Sequence, residues 1–101
     1  MSNEGLHESE QDLSNETRDK HRALASLQEE LEAVDWYRQR ADACHDEQLK
    51  QILLHNMREE MEHAAMVLEW LRRNDNDFEK QLRDYLFTEG SIIEVEKAAT
   101  Q

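Results

Sequence analysis

Proline is absent from this 101-residue chain, and glycine and cysteine are nearly absent, with two glycines and one cysteine. Without proline, long helices can continue without the kinks and ends that this residue imposes. The single cysteine, Cys44, excludes a disulfide within the chain and is typical of a reducing cytoplasm. No apolar run approaches the roughly 20 residues of a membrane span, and the acidic N-terminal sequence does not resemble a signal peptide. We therefore expect a cytoplasmic protein without a membrane partner.

Basic residues are also few, because 12 lysines and arginines stand against 24 aspartates and glutamates, a formal net charge of −12. Nucleic acids and anionic membranes attract basic surfaces, so the charge argues against both as partners. An acidic surface is instead compatible with attracting cations.

The residues that are present predict an all-α fold, because strong helix formers such as Glu, Leu, Ala, Gln and Arg dominate. Residues 1–13 have few apolar groups, which predicts a disordered polar tail. Apolar residues at helical spacing predict a first helix from Ser14 to Cys44. A second helix is predicted from Asp46, as its N-cap, to Arg73. Because the connection is short, the two helices should form an antiparallel hairpin.

The C-terminal third of the sequence predicts two short helices. The NDND sequence at 74–77 ends the second helix and caps a third. Gly90 is predicted to end that third helix, and Ser91 followed by Glu94 is a capping-box pattern for a brief last helix. The predicted organisation is a polar tail, a hairpin domain and a C-terminal tail, over residues 1–13, 14–97 and 98–101.

The second helix is apolar over an arc that is too wide for one partner helix to cover. The sequence therefore predicts a homodimer in which two hairpins form a four-helix bundle. The main apolar face consists of Leu49, Ile52, Leu53, Val67, Trp70 and Leu71, and a second strip about a quarter turn away consists of Leu54, Met57, Met61 and Leu68.

The acidic run EEMEH at 59–63 divides by helical phase. At about 100° per residue, Glu60 and His63 fall within the arc of the main apolar face, whereas Glu59 and Glu62 point to the polar side. An E-x-x-H pair alone is common by chance, and a half-exposed Glu beside a satisfied His is its ordinary interpretation. A carboxylate within an apolar arc, however, is costly unless it is paired, protonated or bound to a metal.

The first helix offers matching groups, Glu30 and Tyr37, at the edge of its own apolar arc. In ferritin-like di-iron bundles, two helices each supply a Glu and two others each supply Glu-x-x-His. This chain has one helix of each kind, so a homodimer would supply all four and hold two metals between its subunits. Carboxylate and imidazole ligands favour iron or manganese over an iron–sulfur cluster or structural zinc.

A second acidic cluster, Glu29, Glu32 and Trp36, lies on a different face of the first helix. The spacing alone favours a solvated face with one amphipathic Trp. The alternative is a weaker, more exposed cation site that feeds the inner one.

Three stretches, EELEAVDWY (29–37), HNMREEMEHAAMVLEWLRRND (55–75) and DYLFTEG (84–90), resemble the encapsulated ferritins, the ferritin-like cargo proteins of encapsulin nanocompartments. The resemblance implies a two-helix subunit whose antiparallel dimers build a di-iron ferroxidase site and assemble into a ring-like decamer. It also implies an encapsulin shell as partner and a location inside that compartment. Family members usually continue through a Gly-rich linker to a shell-docking peptide. The present sequence ends at KAATQ, so encapsulation is expected from the helical region alone.

The resemblance also assigns site residues. By position, Glu30, Glu60 and His63 match the iron ligands of the family, with Glu60 bridging two metals and Tyr37 beside them. Calcium, manganese and zinc are further metals expected at the same or outer positions. The residues that match the family's outer site, through which metal enters, are Glu29, Glu32 and Trp36.

The leading functional hypothesis is a ferroxidase that oxidises Fe(II) with dioxygen and supplies iron for mineralisation and storage inside a shell. A non-catalytic acidic helical adaptor that dimerises is the alternative. Convergence of Glu30, Glu60 and His63 discriminates between them. A di-iron oxygenase or peroxidase would need a substrate pocket that such short helices scarcely provide.

Overall fold

A computed structural model describes residues 5–99, and every regular element in that range is a helix. The all-α prediction is thus confirmed. The predicted tails extend into residues 1–4 and 100–101, which lie outside the described range, and the division into tails and domain stays a prediction. The elements are a 3-10 turn at Glu10–Asp12, α1 at Asn15–Ala43, α2 at Glu47–Asn74, α3 at Asn76–Tyr85 and α4 at Ile92–Ala99.

Three of the helices begin where a short polar side chain caps them. The side-chain oxygens of Ser14, Asp46 and Asp75 accept backbone N–H groups of the following first turns at 3.1, 2.8 and 3.1 Å. These bonds satisfy donors that a helix start leaves without an intrahelical partner. The starts of α1, α2 and α3 therefore follow from local sequence chemistry.

The chain divides into two compact units, Met1–Leu68 and Glu69–Gln101. In the first unit, a turn at residues 44–46 joins α1 to α2, so the two helices run antiparallel as predicted. Cys44 caps the end of α1 through its N–H bond to the Ala41 carbonyl at 3.3 Å. The buried core of the hairpin contains Ala41, Met57 and Ala64, which are 1%, 6% and 8% exposed.

The predicted main apolar face of α2 is covered only in part within the chain, since Leu71 is 1% exposed and Leu53 and Val67 are half-buried. Leu49 and Ile52 are 47% and 52% exposed, whereas Met57, assigned to the second strip, is buried. Helical phase correctly described an arc wider than one partner covers, but it did not identify which part of that arc faces α1. An apolar surface around Leu49 and Ile52 thus stays exposed in the single chain.

In the second unit, α3 ends at Tyr85 and not at Gly90, so the predicted end of this helix is wrong. Phe87 adopts a φ of +62°, a left-handed conformation that cannot continue a helix. Gly90, at φ +82°, instead turns the chain before Ser91, whose Oγ accepts the N–H of Glu94 at 3.3 Å. That bond caps α4 as the capping-box pattern predicted.

An ion-pair network connects the end of α2 to α3. The guanidinium of Arg72 contacts both carboxylate oxygens of Glu69, at 2.7 and 2.8 Å, and approaches Glu79 at 3.6 Å. Arg73 adds a bond to Glu69 at 2.7 Å, and the two guanidinium groups lower the pKa of Glu69 to about 2.

None of the helices within residues 5–99 combines the length and the apolar character that a membrane span requires.

Candidate metal centre

Glu30 on α1 meets Glu60 and His63 on α2 at the junction of the two helices. His63 Nδ1 lies 3.6 Å from Glu30 Oε2 and 3.6 Å from Glu60 Oε2. Glu60 and His63 are neighbours because residues three apart share a helix face. Glu30 reaches them only because the short turn sets the register of the hairpin. We call these three residues the junction cluster.

The geometry of the junction cluster suits a metal ion. One ligand atom from each residue lies within 4.8 Å of the others. Two carboxylates and an imidazole form a donor set that suits iron and manganese. The structure thus brings together the three residues that the sequence singled out as inner ligands.

The junction cluster is open on one side. The Glu30 and Glu60 side chains are 25% exposed, and the His63 side chain is 46% exposed. On α2, Leu49 and Ile52 share the helical phase of His63 to within about 40°. The open side of the cluster and these two residues therefore lie on one side of α2, roughly 17–21 Å apart along the helix axis at about 1.5 Å per residue.

Proximity of the two carboxylates alters the acidity of Glu30. Its pKa is raised above the ordinary value of 4.5, chiefly because it shares a hydrogen bond with Glu60. Burial and the negative charge of Glu60 act in the same direction, and His63 opposes them. Carboxylates held this close favour a proton or a cation between them.

Tyr37 is half-buried on α1, two helical turns beyond Glu30, which corresponds to about 10 Å along the helix axis. The guanidinium carbon of Arg40 lies 5.4 Å from the centroid of its ring, a cation–π contact. Within one chain, Tyr37 is therefore displaced along the helix axis from the junction cluster.

The predicted outer site, Glu29, Glu32 and Trp36, is exposed, and the Trp36 side chain is 51% exposed. Helical phase places all three on one stripe of α1. Glu29 and Glu32 also line a cleft formed with the N-terminal segment. Neither belongs to a group of three converging His, Cys, Asp or Glu side chains within residues 5–99.

A second group of converging ligand atoms was not predicted. Glu59, Glu62 and His63 are all exposed and lie within the same 4.8 Å limit. We call them the surface cluster, and His55 extends it through a 3.3 Å contact between Nε2 and Glu59 Oε1. The available signal was the spacing of EEMEH itself, since residues three and four apart meet on a helix face.

A hairpin with a Glu on one helix and a Glu-x-x-His pair on the other has half of the ligand pattern of ferritin-like di-iron bundles. A family model described as EncFtn-like matches residues 5–89. The chain therefore belongs to the EncFtn-like family, as its resemblance to the encapsulated ferritins predicted.

Relatives and a solved structure are consistent with this assignment. The "Encapsulated ferritin-like protein" of Rhodospirillum rubrum is 57% identical over 99% of this chain and 71% of its own length. The "Ferritin-like protein" of Thermotoga maritima is 54% identical over 90% of this chain and 80% of its own length. The crystal structure of protein ne0167 from Nitrosomonas europaea is 62% identical, with a TM-score of 0.85, and the match covers 88% of this chain and 98% of that one.

Proposed function

We propose that this protein is a ferroxidase that oxidises Fe(II) to Fe(III) with dioxygen at a di-iron site formed between two subunits. The observation that carries the proposal is the placement of His63 Nδ1 at 3.6 Å from carboxylate oxygens of both Glu30 and Glu60. Membership of the EncFtn-like family supports an iron-related function.

A second copy of the chain would complete the site. One junction cluster offers three side chains, which are too few to hold two metal ions with stable coordination. Leu49 and Ile52, on the same side of α2 but nearer the turn, are about half exposed in the single chain. A homodimer that buries these residues would bring two junction clusters face to face and give the four-helix pattern of ferritin-like bundles.

The residues have separable roles in the proposed reaction. In the dimer, Glu60 would bridge the two iron ions, Glu30 and His63 of each subunit would hold one of them, and the carboxylates would offset the positive charge of Fe(III). Four Fe(II) ions supply the four electrons that, with four protons, convert one dioxygen into two waters. Tyr37 would sit beside the irons when supplied across the dimer, and manganese, zinc or calcium are other ions that the same oxygen-rich sites would accept.

The outer site would deliver iron to the inner one. Glu29 and Glu32 are exposed carboxylates on one helix stripe with Trp36, and the net charge of −12 favours cation approach. A two-helix subunit has no evident way to enclose a mineral, so Fe(III) would leave for storage elsewhere.

An encapsulin shell in the cytoplasm is the proposed place of storage, because the Rhodospirillum rubrum relative is named an encapsulated ferritin-like protein. Further apolar residues support an assembly larger than a dimer. Leu24 and Leu31 are 47% and 55% exposed, and helical phase sets them roughly 100° from Glu30 on α1. A second kind of contact there would join dimers into the proposed ring, a decamer.

Aerobic Fe(II) oxidation by single-residue variants tests the proposal. Glu60→Ala or His63→Ala should lower the initial rate at least about 100-fold, since even indirect supports of a metal ligand typically cost 10- to 100-fold. Glu59→Ala, which removes the same charge one residue away, should retain the wild-type rate. Wild-type rates in Glu60→Ala and His63→Ala would refute the assignment and leave the acidic adaptor as the better interpretation.

A further inference from the structure

On the exposed side of α2, Asn56 lies between the apolar residues Leu49 and Ile52 and the junction cluster. It stands about 6 Å beyond Ile52 and about 10 Å before His63 along the helix axis, at about 1.5 Å per residue. Its helical phase is within about 20° of those of Leu49 and His63, which are seven residues away on either side. Seven-residue spacing is typical of the seam along which two paired helices meet. Leu49, Ile52, Asn56 and His63, which we call the α2 stripe, therefore form a seam for a second helix.

The side chain of Asn56 is half-buried in the single chain and forms no hydrogen bond with another residue within 5–99. No fully buried side-chain N or O atom in the described part of the chain lacks a hydrogen-bond partner, so the Asn56 amide still reaches water. A side-chain amide offers two donors and one acceptor, and burying it without partners is costly. A subunit that covers the α2 stripe must therefore offer Asn56 a hydrogen-bond partner.

The apolar residues of the α2 stripe do not by themselves determine how two copies pair. Leu49 and Ile52 are 47% and 52% exposed, and apolar side chains of this kind pack against each other in more than one register. A slip of one α2 along another by seven residues keeps the stripes opposed but displaces the two junction clusters by about 10 Å. A single polar residue on such a seam can fix the register, at a cost in stability.

We propose that Asn56 is a specificity-determining residue that restricts the pairing of two α2 helices to the register in which two junction clusters face each other. This inference rests on the dimer of the proposed function. In that register the Asn56 amide hydrogen-bonds across the interface, whereas in slipped registers it is buried against apolar side chains without a partner. Asn56 thus lowers the affinity of pairing relative to an apolar residue and excludes dimers whose metal sites are incomplete.

Self-association of the metal-free full chain tests the cost in affinity. Asn56→Leu should lower the dissociation constant of the dimer by about 5- to 100-fold, because an apolar side chain replaces an amide that pairing has to desolvate. Gln51→Leu is the matched control, since Gln51 is exposed, bonds Glu47 of its own helix at 2.9 Å and lies about 140° from Asn56 in helical phase. This control should leave the dissociation constant unchanged. Sedimentation velocity over a concentration series measures both variants.

Two further measurements, at protein concentrations at which each variant is dimeric, report the register. Anaerobic Fe(II) retained per chain should fall at least about twofold in Asn56→Leu, because slipped dimers hold incomplete sites. Asn56→Gln keeps the amide and should retain as much Fe(II) as the wild type.

A spin label on Cys44, the single cysteine of the chain, gives the second measurement. A slip of seven residues changes the distance between the two labels of a dimer by about 10 Å. Dipolar EPR of the metal-free dimers should therefore give one distance for the wild type and for Asn56→Gln, and several distances for Asn56→Leu.

The outcomes that would overturn the role of Asn56 are distinct from those that would overturn the site. An unchanged or weaker association of Asn56→Leu, a full complement of Fe(II) in that variant, or an equal tightening by Gln51→Leu would each refute the specificity role. These results would leave a dimeric, Fe(II)-binding wild type and the proposed function standing. Binding of Fe(II) to a wild-type chain that stays monomeric would instead refute the two-subunit site, and the role of Asn56 with it.

Discussion

The junction cluster and the surface cluster share His63 but differ in how the chain builds them. Glu59, Glu62 and His63 lie on one helix, so their proximity follows from spacing alone, and all three are exposed. Glu30 joins Glu60 and His63 only when α1 and α2 are packed, and the two carboxylates are then 25% exposed. Convergence across two helices is therefore the stronger indication of function, because an isolated helix of this sequence would already contain the surface cluster.

The largest expected difference between the clusters is in assembly. If metal at the junction cluster joins two subunits, a chelator should shift the protein toward smaller species, because buried carboxylates then repel without an ion between them. Glu30→Gln should cause the same shift, whereas Glu62→Gln should not. Size exclusion with light scattering measures both, and an unchanged profile in Glu30→Gln would count against metal-assisted assembly.

Packing beneath the junction cluster offers the next comparison. Met57 is 6% exposed in the hairpin, and Met61, one turn later on α2, is 38% exposed. Met57→Ala should cost about 2–5 kcal/mol of unfolding free energy, as large-to-small changes in a core do, and Met61→Ala distinctly less. Urea unfolding of the metal-free protein, at one protein concentration, measures this. Equal costs would contradict the packing of α2 through Met57.

Uptake of iron separates the junction cluster from the outer site. Glu32→Ala should slow the initial uptake of Fe(II). We expect an effect of at most about 10-fold, the lower end of the 10- to 100-fold loss seen when supporting groups of metal sites are removed, because Glu32 is exposed. The amount finally bound at the junction cluster should be unchanged. Glu16→Ala, an exposed acidic residue in the first turn of α1, is the matched control. Identical uptake kinetics in Glu32→Ala and Glu16→Ala would favour the alternative in which the predicted outer site is only a solvated acidic face.

The smallest expected effect concerns acidity in the metal-free protein. Because the folded pKa of Glu30 is raised, its charged form destabilises the fold at neutral pH. Glu30→Gln should therefore raise Tm slightly at neutral pH, and the gain should vanish as the pH falls through the Glu30 pKa.

The charged form of Glu69 has the opposite effect on stability and stabilises the fold, since the pKa of Glu69 is lowered to about 2. Its contribution is present above the ordinary value of 4.5 and lost as the pH falls toward 2, so Glu69→Gln should lower Tm at neutral pH. Thermal unfolding across pH measures both, and shifts of the same sign would contradict them.

Helix starts were predictable because their causes are local. Ser14, Asp46 and Asp75 each cap the helix that follows, and no proline interrupts the chain. The end of α3 was not predictable in the same way, because Leu86 turns extended and Phe87 left-handed, and neither residue type signals such a change of backbone.

The candidate site was predictable in its members but less so in its surroundings. A short turn between long helices made it reasonable to expect Glu30 opposite Glu60. The sequence grouped Leu49 and Ile52 with Leu71 on one apolar face, and in the single chain Leu71 is buried whereas Leu49 and Ile52 are about half exposed. Periodicity reports that an arc is apolar, but the identity of the surface that covers it depends on tertiary packing and assembly.

Because the turn at residues 44–46 is short, the number of residues between Glu30 and Glu60 determines whether their side chains meet. Each residue added or removed within either helix rotates everything beyond it by about 100° and moves it about 1.5 Å. One inserted residue between Glu30 and the turn would carry Glu30 away from His63, whereas insertions before Glu30 or after His63 would leave their separation unchanged. The length of this stretch, more than the identity of most of its side chains, is thus what a designer of a shortened variant would have to preserve.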